Sequence, residues 1–203
     1  NGILAGHSES RSRFKETDAE VNEQVKTAHA IGLKTVMLCV GETEEEKLAG
    51  RTEIVLREQV LKGLAGLTPE QLTRTIIAYE PRWAIAGSGK STLTKPTADH
   101  AQKAAVFIRS VVSTLDGSAA RAMRILYGGS ASKDNAAAYL KQPDVDGLLV
   151  GTKSISISDF RPIVQAAVRQ GPKQGRIPYV GGNWKSMEIK SRYINFVKAL
   201  SEF

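Results

Sequence analysis

Six short apolar runs recur along the chain, each followed by a stretch with helical spacing or by a polar turn, and this alternation narrows the fold more than any other feature. The runs fall at residues 2–5, 35–40, 75–79, 124–127, 147–150 and 178–181. Helical patterns occupy 17–31, closed by Gly32, then 52–64, 98–115, closed by Gly117, then 134–141, 158–169 and 186–202. Parallel strands need a long return path between them, and a helix supplies it, so the alternation predicts an α/β chain of βα units around a parallel sheet. One domain is expected over 1–203, without low-complexity tracts. Only 170–177, reading Gln-Gly-Pro-Lys-Gln-Gly-Arg-Ile, is punctuated by Gly and Pro and free of periodicity, and it reads as a joining linker.

In a parallel β/α barrel the C-terminal strand ends converge on one face, where active sites are built. The residues that follow each run are therefore the candidates. Gly6-His7-Ser8-Glu9 follows the first run, Gly41-Glu42 the second and Glu80-Pro81 the third. Gly128-Gly129-Ser130 follows the fourth, Gly151-Thr152 the fifth, and Asn183-Trp184-Lys185 the last. Glu80 stands out because Pro81 ends the strand directly after it, leaving a carboxylate at the mouth of a buried sheet. Partial desolvation there raises proton affinity towards what a general base needs; a plain strand-end salt bridge is the competing reading. The glycines at 128, 129 and 151 let backbone N–H groups approach an anion closely, which makes an anion cradle without a lysine fork; ligand-free βα turns are the alternative.

Charge and composition exclude several classes. The net charge is +7, but the basic residues are scattered, and Arg11, Arg13 and Lys15, the densest group, lack interleaved aromatics, so nucleic acid is not the expected partner. No apolar run is long enough to span a membrane and no secretory leader pattern is visible, so a cytoplasmic location is expected. Cys39 is the one cysteine, which excludes an internal disulfide and suits a small packed residue; His7, His29 and His100 have no metal-ligand spacing, and no metal is expected. His29 and His100 fall in helices and read as surface or partly buried groups.

Taken together, these motifs resemble the triosephosphate isomerase family. The matching segments are Gly-His-Ser-Glu at 6–9, Leu-Cys-Val-Gly-Glu at 38–42 and Ala-Tyr-Glu-Pro-Arg-Trp-Ala-Ile at 78–85. Further matches are Ile-Leu-Tyr-Gly-Gly-Ser at 125–130, Asp-Gly-Leu-Leu-Val-Gly at 146–151 and Gly-Asn-Trp-Lys at 182–185. The resemblance implies a cofactor-free interconversion of dihydroxyacetone phosphate and D-glyceraldehyde 3-phosphate through an enediolate. It implies Glu80 as the base, His7 as the electrophile, Lys185 as the cation beside enediolate and phosphate, and Asn183 as a positioning group. Glu9 would be a second carboxylate near Lys185, or simply an acidic residue favoured by a helix start. Ser130, Gly128, Gly129, Gly151 and Thr152 would bind the phosphate, with Gly87 and Ser88 in a flap that closes after Trp83 and excludes water.

The chain departs from the family pattern in several places. The flap, Ala86-Gly87-Ser88-Gly89-Lys90, is one residue longer than usual and Ser91 to Pro96 extends it; Arg82 replaces an apolar residue, Ser10 an arginine and Thr152 a second glycine. The segment from Ala84 to Ser91 also fits a relaxed phosphate-loop pattern, but Glu80 to Trp83 separates it from the preceding strand, which argues against a nucleotide hydrolase. Most notably, the Asn-Trp-Lys strand comes last rather than first, so the order is that of a circularly permuted barrel holding six of eight βα units. Such a sheet is open, closed on fewer strands, completed by a homo-oligomeric partner or another chain, or a piece of a longer or tandem chain. A catalytically impaired scaffold derived from the enzyme is the alternative function.

Overall fold

The computed structural model describes residues 2–85, 91–184 and 196. In chain order the elements are β1 (Gly2–Ala5), α1 (Ser8–Arg13), α2 (Asp18–Ala30), β2 (Thr35–Val40), α3 (Glu44–Leu48), α4 (Thr52–Gly63), α5 (Pro69–Arg74) and β3 (Thr75–Tyr79). After a short 3-10 turn at Arg82–Ala84 come α6 (Ala98–Leu115), α7 (Gly117–Ala122), β4 (Ile125–Tyr127), α8 (Ala136–Leu140) and β5 (Gly147–Val150). A second 3-10 turn, Thr152–Ser154, leads to α9 (Ile157–Gln170) and β6 (Tyr179–Gly182). All six strands are parallel and neighbours in the sheet follow chain order, as expected for βα repeats.

The strands sort their side chains by the period of two. Val36, Leu38 and Val40 of β2, with Ile77 and Tyr79 of β3, pack outwards into the large core shared with the helices. Met37, Cys39, Ile76, Ala78, Leu126 and Leu149 face the other side and form a smaller inner core, with Leu4 and Tyr179 of the two edge strands packed against it. Cys39 is fully buried there, and burial raises its thiol well above the ordinary value, consistent with a packed apolar residue. The sheet curls: Asn183, just past β6 at one edge, lies 3.1 Å from His7, just past β1 at the other. The result is a parallel six-stranded partial β/α barrel.

Several boundaries differ from the sequence expectation for identifiable reasons. Gly117 does not close a helix; it opens α7, because the Asp116 carboxylate accepts from the Ala119 N–H at 2.6 Å and caps a new turn. The helix expected from 134 begins at Ala136, since the Asn135 side chain is bonded to Ser132 N–H and Ser130 C=O instead. Short α3 and α5 were missed, although Thr43 with Glu46 and Thr68 with Gln71 form capping boxes. The helix expected at 186–202 lies outside the described residues, except Phe196, whose ring sits against Phe160 and Trp184.

The linker at 170–177 is docked. Arg176 is 4% exposed, and its Nε donates to Asp146 Oδ1 at 2.7 Å, while Arg109 Nη2 donates to Asp146 Oδ2 at 2.8 Å. Asp146 also accepts from the Ile125 N–H at 2.9 Å, so the carboxylate between two guanidiniums ties the linker to β4. Lys173 donates to the carbonyls of Gln142 and Val145, both at 2.7 Å. These anchors deliver Tyr179 beside β5, where Gly147 is required: a Cβ there would stand 1.8 Å from the Tyr179 carbonyl oxygen.

Candidate active site

Glu80 follows the last residue of β3, the strand whose five residues are all buried, and is itself 2% exposed. Its Oε2 accepts from the Ser8 N–H at 3.0 Å, and its Oε1 lies 3.3 Å from His7 Nε2. The Ser8 N–H belongs to the first turn of α1, so the carboxylate faces a helix N-terminus, where donors have no internal partner. Gly128 borders the same group: a Cβ at that position would come within 2.8 Å of Glu80 Cγ. The space around the carboxylate therefore depends on a residue without a side chain.

His7 occupies the N-cap of α1 and its Nδ1 accepts from the Glu9 N–H at 3.2 Å. An Nδ1 that accepts carries no proton, which puts the ring N–H on Nε2, towards Glu80 Oε1; the Asn183 amide, 3.1 Å from the same nitrogen, then has to turn its oxygen to it. The fold thus assembles a carboxylate, an imidazole N–H and an amide around one point.

A cavity of about 240 Å³ adjoins that point. Its walls include His7, Glu80 and Asn183 together with Gly128, Gly129 and Ser130 on one side and Gly151 and Thr152 on another, so eight of the sequence-predicted residues share one cavity. Ser130, which lines the cavity, has its buried hydroxyl beside that of Tyr127. Glu9 does not line this cavity; it borders a neighbouring one with Arg13 and Arg82. Lys185, Gly87 and Ser88, like the rest of 86–90, lie outside the described residues. Lys95 and Lys153 also line the cavity, beside the glycine turns expected to hold an anion without a lysine fork.

Behind Glu80 lies a buried polar knot that the sequence reading did not single out. Glu42 is fully buried, and its carboxylate accepts from Tyr79 Oη at 3.1 and 3.2 Å and from Trp83 Nε1 at 3.0 Å. Since the Tyr79 proton points to Glu42, the phenol oxygen accepts from His100 Nε2 at 2.9 Å. Burial raises the Tyr79 hydroxyl well above its usual value, with Glu42 adding to it, so the phenol stays protonated. The knot joins β3 to the turn carrying Trp83 and to the start of α6. Its one sequence signal was a Glu directly after a buried strand and Gly41. Arg82, in the same turn, donates to Ser12 Oγ of α1 at 2.7 Å, which gives the unusual arginine a structural partner.

Among the described residues, no helix is long and apolar enough to cross a membrane and no three His, Cys, Asp or Glu side chains are grouped to hold a metal ion. Comparison with known proteins bears on the same strands. The family model described as triosephosphate isomerase matches residues 1–167. A curated relative, the triosephosphate isomerase of Carboxydothermus hydrogenoformans, is 44% identical over 167 residues, which cover 82% of this chain and 64% of the relative. The matched part of the chain thus spans a little under two thirds of that relative's length. With the parallel β/α architecture and a family match over most of its length, the chain belongs to the triosephosphate isomerase family.

Proposed function

We propose that the chain is a triose-phosphate isomerase, interconverting dihydroxyacetone phosphate and D-glyceraldehyde 3-phosphate by proton transfer through an enediolate. The observation that carries the reading is the single cavity in which Glu80, His7 and Asn183 meet the two glycine-rich turns. Glu80 takes a proton from the carbon next to the carbonyl, and the electron pair moves into a carbon–carbon double bond as the carbonyl oxygen becomes an enediolate oxygen. The Nε2–H of His7 faces that developing charge, which a preorganised donor stabilises more than it stabilises the ground state. A proton then moves from the hydroxyl of the first carbon to the enediolate oxygen, beside His7, and Glu80 returns its proton to the neighbouring carbon as the first carbon's oxygen becomes the new carbonyl. Asn183 positions the substrate, Lys185 adds positive charge, and the turns at 128–130 and 151–152 hold the phosphate; Gly87 and Ser88 close over it. No cofactor or metal enters this scheme, and the expected setting is the cytoplasm.

A coupled assay of the purified chain tests this directly. Glu80→Gln should lower kcat by about 10²–10⁴-fold, the range for loss of a positioned general base. Equal turnover by the variant would remove Glu80 from the role.

One observation favours a second reading. Among the described residues β1 pairs only with β2 and β6 only with β5, and a barrel of this class has eight strands. The missing two βα units would then come from another polypeptide, or the chain is a scaffold without catalysis. Sedimentation and intact mass, followed by the isomerase assay with and without any co-purifying chain, separate these. Turnover by the lone chain would discard both.

A further inference from the structure

The cavity wall includes two lysines in different electrostatic situations. Lys153 Nζ is 3.3 Å from Asp159 Oδ2, and the same carboxylate pairs with Lys133 at 3.1 Å, so the charge of Lys153 is already partly answered. Lys95 is exposed at the cavity and makes no hydrogen bond or ion pair with any described residue. A cation facing an anion cradle with no carboxylate of its own is poised for a ligand.

Its backbone is held on both sides. Upstream, Thr92 donates to Glu44 Oε1 from its backbone N–H at 2.9 Å and from its hydroxyl at 2.7 Å. Downstream, the carbonyl of the buried Pro96 accepts from Tyr139 Oη, and Thr97 caps α6. Tyr139 stacks on Tyr127 with centroids 4.1 Å apart, and Tyr127 directly precedes Gly128. Lys95 is therefore fixed, through Pro96 and two stacked rings, to the strand end that bears the Gly128-Gly129-Ser130 turn. Ser130, in that turn, lines the same cavity as Lys95.

We propose that Lys95 is an additional binding residue for the phosphate dianion, supplying from the 91–96 stretch a charge-assisted hydrogen bond that the backbone turns cannot give. This rests on the isomerase reading only for the identity of the substrate; the anion chemistry stands on the cavity itself. The lysine acts on binding and takes no part in moving the carbon-bound proton.

The test is Lys95→Met, which keeps the length and apolar stem while removing the charge, with Lys95→Arg as the charge-retaining partner. Lys95→Met should raise KM about tenfold with kcat within about twofold, and weaken competitive inhibition by inorganic phosphate by the same factor. Lys95→Arg should restore most of both. Unchanged KM and phosphate inhibition in Lys95→Met, or a fall in kcat alone, would overturn the assignment. Calorimetric titration of inorganic phosphate into both proteins separates this inference from the isomerase reading. Phosphate binding that is lost in Lys95→Met supports Lys95 even if the chain shows no turnover. Absence of phosphate binding by the unaltered chain overturns it.

Discussion

Two strands carry the residues of the proposed site, and they are supported in opposite ways. β3 lies inside the sheet, bonded to β2 and β4, with every residue buried; Glu80 leaves it against the start of α1 and above the Glu42 knot. β6 lies at an edge with all four residues at least partly exposed, and Asn183 leaves it held laterally by β5, with a backbone bond from its N–H to the Val150 carbonyl at 2.8 Å. Apolar packing on both faces places Glu80. A polar clamp, Arg176 on Asp146, places the amide. The same pocket thus has one wall fixed by the hydrophobic core and one by buried charge.

The comparison can be broken most severely at the base. Glu80→Asp withdraws the carboxylate by one methylene from a backbone that cannot follow, and a displacement of about 1 Å costs on the order of a hundredfold in kcat. Asn183→Ala should cost less, because the edge strand retains freedom to adjust. Steady-state kinetics on the pair decides; equal losses would mean that the two walls are equally rigid.

Next in size is the clamp. Asp146→Ala leaves the buried Arg176 without its carboxylate, while the partly buried Arg109 keeps Asp144, and this should destabilise the fold by about 3–5 kcal/mol. Urea denaturation measures the loss. Hydrogen exchange should show early opening of β6 while β3 stays protected; uniform exchange across the sheet would contradict a local clamp.

A smaller effect is expected at Gly147→Ala, whose methyl would strike the Tyr179 carbonyl and push β6 away from β5. Overpacking of this kind costs about 1–3 kcal/mol, and it should raise KM while leaving the β3 side intact. An alanine variant with wild-type stability would show that β6 is free to move outwards at no cost.

The smallest effect is on pH dependence. Burial lowers the imidazole of His29 below its ordinary 6.5, with Arg74 adding to it. Burial also lowers His100, with Lys47 and Lys103 acting in the same direction and Glu42 and Asp99 against it. The unfolded chain takes up these protons first as pH falls, so the stability held by the neutral rings is complete above pH 6.5 and is lost as pH drops through the lowered values. Denaturation curves on both sides of that pH, repeated with His29→Gln, should show a shallower slope in the variant.

The core strands were legible because strands buried on both faces are written as short apolar runs, and Glu80 was legible because Pro81 ends its strand immediately afterwards. His7, Gly128 and Gly151 followed from their places after other strands, and the curled sheet brings them together. Arg176 and Lys95 were not legible. A lone arginine in a Gly and Pro segment carries no periodic signal, and its partner Asp146 lies 30 residues away. The place of Lys95 depends on a bond between Pro96 and Tyr139 across 43 residues, which local spacing cannot express. His29 was read as a surface or partly buried group, yet it is 8% exposed because Thr75, at the start of β3, offers its Nε2 a partner at 2.9 Å.

The clamp at Arg176 also divides the linker into two parts with different tolerance for change. Gln174 and Gly175 form a positive-φ turn upstream of the buried guanidinium, so extra residues inserted between them would loop into water at a closure cost that grows only slowly with length. One residue inserted between Arg176 and Tyr179 would instead shift the strand by half its repeat. Tyr179 would turn away from the inner core and Asn183 away from His7. The linker is therefore elastic on one side of a single arginine and fixed in length on the other.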